Sequence, residues 1–128
     1  MTSYRFMLRA KIHGATVTHA DLTYEGSIAI PLPLLEATDL LANEEVHVWN
    51  VTRGSRLQTY VIPGQPGSDS ISVNGAAAHL VHPGDIIIVA AFCVVPEELT
   101  RVHRPKVIFV DSLNRIKEIR AERIPDDL

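Results

Sequence analysis

Ten consecutive residues, Ile86 to Val95, carry no charge, and their first four are Ile86-Ile87-Ile88-Val89. The run is too short to cross a bilayer as a helix. Pro83-Gly84-Asp85 turns the chain just before it, and β-branched residues dominate its start. Residues 86–92 are therefore expected to form a strand buried on both faces. Other segments are also short and β-like. Glu45 to Val51 reads as a strand, Thr52-Arg53-Gly54-Ser55 as a hairpin turn, and Arg56 to Ile62 as the return strand. Tyr4, Phe6 and Leu8 alternate with Arg5 and Arg9, which suggests an edge strand continuing through Lys11 to Thr18. Ile28-Ala29-Ile30, stopped by Pro31 and Pro33, Ile71-Ser72-Val73 and Lys106 to Val110 are briefer strands. Arg115 to Arg120 fits either strand or helix, and the tail from Ile124 is expected to be loose. One-turn helices fit Leu34 to Ala37, the stretch after Asn74, and Pro96 to Leu99, with Pro33 suited to a first turn. Seven or so strands without βα alternation give an all-β class, and a small closed barrel is the natural architecture. The 128 residues make one domain, 1–128, with no internal repeat or linker.

Charge and cysteine content narrow the function. The net charge is −3 and the cations are scattered, so no basic stripe points to nucleic acid. Met1 to Phe6 lacks the apolar core of a signal peptide. Cys93 is the one cysteine and is expected to be inert core. A soluble, reducing compartment, the cytoplasm, fits best, with no membrane partner. Of six histidines, His79 and His82 are the only close pair outside Lys11–His19, and no cysteine pair or acidic motif accompanies them. No metal is expected. Walker-type, GxGxxG and Gly-x-Ser-x-Gly motifs are missing.

The chemistry concentrates around Tyr24-Glu25-Gly26-Ser27. Gly26 lets the backbone bend and leaves its carbonyl unshielded. Ser27 places a hydroxyl beside that carbonyl. In a strained loop the hydroxyl can attack, turning the amide into an ester. β-Elimination then breaks the chain and leaves dehydroalanine, which hydrolyses to a pyruvoyl group. A plain Gly-Ser turn is the alternative. Lys11 and His13 share a strand face, where Lys11 could bind an anion and His13 could move protons during maturation, or both could simply be solvated. Arg56 and Tyr60 share a face as well, with Thr59 on the other. Arg56 could fork a carboxylate and Tyr60 donate a proton, or Arg56 is a solvated charge and Tyr60 an amphipathic cover for the barrel. If Thr59 serves the same site, a strand end, a bulge or a second subunit must bring it there. In Asn74-Gly75-Ala76-Ala77-Ala78, small residues at a helix start would let a ligand approach the backbone closely, or the stretch is simply a tight turn into a short helix.

Taken together, these segments resemble the pyruvoyl-dependent aspartate 1-decarboxylases, which make β-alanine for pantothenate and hence coenzyme A. The match runs in order through Lys11-Ile12-His13, Val17 to Leu22, Tyr24 to Ser27, Trp49 to Thr52, Arg56 with Thr59-Tyr60, and Ile71 to His79. It is weakest over 31–42 and after Arg104. The resemblance implies a double-psi β-barrel and a homotetramer with sites between subunits. It also implies self-cleavage of an inactive zymogen into a β chain, 1–26, and an α chain, 27–128. Ser27 becomes the pyruvoyl group, which forms a Schiff base with L-aspartate, and Tyr60 the proton donor. Thr59 and the backbone of Gly75, Ala76 and Ala77 become substrate contacts, and Arg56 and Lys11 carboxylate contacts. Thr59 is further implied beside the Gly26 carbonyl during maturation, as an oxyanion donor. His13, Tyr24 and Asn74 support maturation. Whether a helper protein assists is open. Competing readings are a non-catalytic barrel that binds a ligand, and a family member unable to mature.

Overall fold

A computed structural model describes residues 2–127, and the all-β class expected from the sequence is what the chain adopts. Nine strands form one ladder: β1 (Tyr4–Thr16), β2 (His19–Asp21), β3 (Ser27–Ile30), β4 (Glu45–Asn50), β5 (Arg56–Pro63), β6 (Ser72–Asn74), β7 (Ile86–Pro96), β8 (Lys106–Val110) and β9 (Ile116–Ile119). One short helix, α1 (Leu32–Thr38), follows β3, with Pro33 in its first turn. Short 3₁₀ helices cover Gly75–Leu80 and Glu97–Leu99. Arg115–Arg120, ambiguous in the sequence, contains a strand.

The strand order is β2-β6-β3-β5-β4-β7-β1-β8-β9. Three pairings are parallel, β1 with β8, β2 with β6 and β3 with β5; the others are antiparallel. Val73 on β6 and Ile28 on β3, towards one end of this order, join Ile108 and Val110 on β8, towards the other, in a single buried cluster. The sheet therefore curls round one core, as a small barrel does, although the ladder itself runs from β2 to β9. Burying that aliphatic surface is the main stabilising contribution.

Two strands differ from expectation. β1 is central rather than an edge, paired along its length with β7 and at its middle with β8. Its charged residues are accommodated by register shifts after Leu8 and after His13, the second at Gly14 with φ +87°. Between the shifts the alternation is regular, so Ala10 and Ile12 enter the core while Lys11 and His13 share the other face. β7 is lined by buried residues along its length on one face only; on the other, Ala90 is buried and the residues towards either end are open. Ile87, Val89 and Ala91 are inside, whereas Ile86 and Phe92 are exposed, because β1 and β4 flank the strand within the sheet and no layer lies outside it. Cys93 is half-buried beside Met7, not sealed in the core. The outer face carries Phe6, which is 84% exposed, with Phe92, Val94, His47 and Trp49 nearby. Among the described residues, no helix is long and apolar enough to cross a membrane.

Asp85 ties the hairpin turn to the loop before β7. It is 2% exposed, and its Oδ2 accepts from Asn50 Nδ2, Arg53 Nε and the His82 backbone N–H, each at 2.8 Å. Burial opposes ionisation, but the bonds from Asn50, His82 and Arg53 outweigh it and hold the carboxyl below its usual range. The folded state thus prefers the carboxylate. Its stabilisation is full above the ordinary carboxylate range and is lost as pH falls through the depressed value. Asp85→Asn should lower stability at neutral pH by about 1–3 kcal/mol, since the amide oxygen can take the same three bonds but lacks the charge that strengthens them and pairs with Arg53. Denaturant melts from pH 7 down to pH 3 should also show a shallower acid loss for the variant; parallel curves would contradict this.

Candidate active site

Gly75 organises the junction between β2 and β3. Its φ is +71°, and a Cβ built there would lie 2.9 Å from Gly26 Cα, 3.1 Å from Gly26 N and 3.4 Å from the Tyr24 carbonyl oxygen. Only a residue without a side chain lets the two backbone segments touch. Asp21 shapes the approach: its Oδ1 accepts from the Thr23 N–H at 2.9 Å and the Thr23 hydroxyl at 2.8 Å. These bonds, the hydroxyl's foremost, hold its carboxyl below the usual range.

Ser27 opens β3, opposite Asn74 on β6. It is 1% exposed and has φ +136°. For a residue with a side chain that value is strained, at a cost of about 1–3 kcal/mol. The backbone is thus bent at the residue where the sequence suggested a reactive hydroxyl. Asn74 Nδ2 donates to Ser27 Oγ at 3.3 Å. Tyr60 donates its hydroxyl to the Gly26 carbonyl oxygen at 2.9 Å. Nothing lies within 4 Å of the position a Gly26 Cβ would take, so that side of the junction is open. A cavity of about 280 Å³ adjoins it, lined by Asp21, Tyr24, Ser72, Asn74 and the Pro63–Gln65 turn. A larger one, of about 530 Å³, lies between β8, β9 and the tail and does not include these residues.

Gly26, Ser27, Tyr60, Asn74, Gly75 and Tyr24 are therefore brought together within one chain. Ala76 is exposed and Ala77 half-buried on the 3₁₀ turn that Gly75 begins. The other expected residues are elsewhere. Thr59 alternates with Tyr60 on β5 and points to the opposite, more buried face. The contact with the Gly26 carbonyl expected of Thr59 belongs to Tyr60 here. Arg56 lies four residues before Tyr60, about 13 Å along the strand. Its guanidinium sits over the Trp49 ring at 5.3 Å from the centroid. Lys11 is 9% exposed and donates to Glu122 Oε2 at 2.9 Å. His13 packs against Phe109, and its buried Nδ1 has no hydrogen-bond partner among the described residues. Burial, then the Lys11 charge, push its imidazole below its ordinary value, so it is neutral at pH 7. Two features escaped the sequence reading: Ser72, whose hydroxyl donates to Asn74 Oδ1 at 2.8 Å, and the strain at Ser27. A serine two residues before a site asparagine on a strand was the available signal for the first. Among the described residues, no group of three or more His, Cys, Asp or Glu could hold a metal ion.

Gly75→Ala tests the close approach directly. Its methyl must displace Gly26 and adopt a positive φ, at a cost of about 1 kcal/mol or more. A lowered melting point is expected, with changed amide shifts at Gly26 and Ser27. Unchanged shifts there would show that the two backbones do not touch.

The aspartate decarboxylase family model matches residues 3–117. The aspartate 1-decarboxylase of Legionella pneumophila (strain Lens) is 57% identical over 122 residues, 95% of this chain and 92% of that protein. The enzyme of the same name from Rhodopirellula baltica is 53% identical over 121 residues, 94% of this chain and 78% of its own. That from Myxococcus xanthus is 50% identical, covering 94% and 93%. Among solved structures, a computationally designed protein, msDPBB_sym2, superposes at a TM-score of 0.44 with 12% identity, covering 68% of this chain and 96% of that one. With a family model spanning most of its length and relatives at half identity or better, the chain belongs to the aspartate decarboxylase family.

Proposed function

We propose that this protein decarboxylates L-aspartate to β-alanine and CO₂ for pantothenate synthesis, using a pyruvoyl group made from Ser27 when the chain cuts itself between Gly26 and Ser27. The observation that carries the reading is the buried Ser27 held at φ +136° beside a Gly26 carbonyl that accepts the Tyr60 hydroxyl. An ordinary turn requires neither burial nor this strain.

The cut proceeds in balanced steps. Ser27 Oγ bonds to the Gly26 carbonyl carbon, the Gly26–Ser27 C–N bond breaks, and the hydroxyl proton passes to the released nitrogen. The product is an ester whose formation relieves the backbone strain. Loss of the Ser27 α-proton then breaks the Cβ–Oγ bond, and Gly26 leaves as a carboxylate. Dehydroalanine remains at position 27; water replaces its nitrogen, ammonia departs, and the pyruvoyl group is complete. The residues present suit that origin: a hydroxyl held by Asn74, a carbonyl held by Tyr60, and a neighbour at 75 without a side chain. His13, neutral at pH 7, and Tyr24 are assigned supporting roles in maturation. In turnover the pyruvoyl group supplies an electron sink for the bond to CO₂.

The protein's own residues bind, orient and protonate. Once 1–26 carries Gly26 away, the Tyr60 hydroxyl is left beside position 27, where it can protonate the carbon that loses CO₂. The Gly75, Ala76 and Ala77 backbone is assigned to substrate contacts, with Ala76 exposed and Gly75 buried against Gly26 until that segment leaves. Arg56 and Lys11 are assigned to the side-chain carboxylate, for which a guanidinium forms a two-pronged partner. Among the described residues, neither Arg56 nor Lys11 nor Thr59 hydrogen-bonds to the Ser27 hydroxyl, which is held by Asn74 instead. We therefore assign them to a site completed by a neighbouring copy, in a homotetramer. The exposed apolar face around Phe6 and Phe92 gives such an assembly a surface to bury. The lone cysteine is in keeping with a cytoplasmic setting.

Two experiments decide. Purified, fully cleaved protein should release β-alanine and CO₂ from aspartate. Tyr60→Phe should lower turnover by about 10²–10⁴-fold. It should slow cleavage far less, because its bond to the Gly26 oxygen already exists in the ground state and accelerates the cut only if it strengthens in the transition state. Wild-type turnover in Tyr60→Phe would remove Tyr60 from the chemistry, and no β-alanine from cleaved wild type would end the reading. Sites shared between copies are tested by mixing. Tyr60→Phe and Arg56→Leu chains, each nearly inactive alone, should regain part of the wild-type activity when co-expressed. No recovery in mixed oligomers would contradict shared sites.

A further inference from the structure

The contact that holds the Ser27 hydroxyl has an outer member. Asn74 immediately precedes the 3₁₀ turn, yet its side chain makes no capping bond. Both ends of its carboxamide are used elsewhere: Nδ2 donates to Ser27 Oγ at 3.3 Å, and Oδ1 accepts from Ser72 Oγ at 2.8 Å. Ser72 and Asn74 are two apart on β6, so their side chains project on one side of the strand. Asn74 is buried, whereas Ser72 is half-buried on the wall of the 280 Å³ cavity.

A carboxamide has ends of similar shape and opposite hydrogen-bonding sense. The torsion that turns it is broad, so the side chain alone does not select an orientation. With Oδ1 engaged by Ser72, the NH₂ end faces Ser27. There its N–H occupies one lone pair of Oγ and fixes the oxygen's direction. We propose that Ser72 is a positioning residue for self-cleavage: its hydroxyl orients the Asn74 carboxamide so that Nδ2 holds Ser27 Oγ for attack on Gly26. This rests on the self-cleavage reading above. Removing the Ser72 hydroxyl leaves Oδ1 facing the cavity, where water competes for it and the carboxamide is free to turn. The Tyr60 contact on the Gly26 oxygen is untouched, so the effect falls on the nucleophile alone. Once Ser27 has been converted its hydroxyl is gone, and this particular task of Ser72 ends.

The test uses full-length chains made by cell-free translation, with the uncut fraction followed over time on denaturing gels. Ser72→Ala should cut about 2- to 12-fold more slowly than wild type, the rate equivalent of one hydrogen bond. Ser72→Thr, which keeps the hydroxyl, should restore both the wild-type rate and the wild-type melting point, whereas Ser72→Ala should melt lower by no more than the few degrees that one lost hydrogen bond costs. In an Asn74→Ala background, Ser72→Ala should slow cleavage no further, because its effect passes through Asn74. Where Asn74→Ala cuts too slowly to follow, the threonine variant decides alone. Three results would overturn the proposal: a wild-type rate in Ser72→Ala, an equal slowing in both backgrounds, or a slowing that threonine does not restore. A wild-type chain that never cuts fails the self-cleavage reading instead, so the two failures are distinct.

Discussion

The contact between Gly75 and Gly26 is the constraint on which the site depends. Two backbone segments meet at a distance that no side chain would allow, and one of them must hold φ +71° to do so. That contact places the chain entering β3 against the start of the 3₁₀ turn, while the β3–β6 ladder pairs Ser27 with Asn74. The strand pairing and the close approach together bound Ser27 from two sides and leave it at φ +136°. Strain of this kind persists only where the surroundings over-determine it. Here those surroundings are a core that also takes in Ile28 and Ile30 of the same strand. Folding energy thus maintains a strained backbone torsion beside a hydroxyl.

Much of the architecture was legible in the sequence. The hairpin of β4 and β5 announced itself by alternation and by Arg53-Gly54, and the two strands pair antiparallel. The first half of the junction was legible too, because glycine followed by serine has few chemical uses beyond a turn. What the sequence could not carry was set by long-range pairing. β1 read as an edge because its first residues alternate apolar and charged. Its central position follows from β8, which arrives from nearly 100 residues later. β7 read as doubly buried because all its residues are apolar, but burial depends on what lies outside the sheet. Ser72 and the sign of φ at Ser27 are invisible to periodicity, since neither alters a pattern of polar and apolar residues.

One chain assembles the parts that would cut and leaves aside those that would bind. Tyr60, Asn74 and Gly75 converge on Gly26 and Ser27, whereas Arg56 rests on Trp49 and Lys11 on Glu122. The division has a physical origin. Tyr60 and Arg56 share a face of β5 but not a location, because four residues of strand separate them by about 13 Å. Within one chain, the cationic groups that would recognise aspartate are thus apart from the atoms that would react with it. A neighbouring copy is the simplest source of the missing charges, and the exposed aromatic face of β1, β4 and β7 is a surface through which copies could meet.

The central claim is that the strained junction breaks and becomes the reactive group. Intact mass of the purified protein under denaturing conditions tests it most directly. The account predicts two pieces, residues 1–26 and residues 27–128, whose masses sum to that of the uncut chain plus one water and minus one ammonia. The larger piece should react with carbonyl reagents and resist N-terminal degradation. A single uncut chain that nevertheless decarboxylates aspartate would contradict the account.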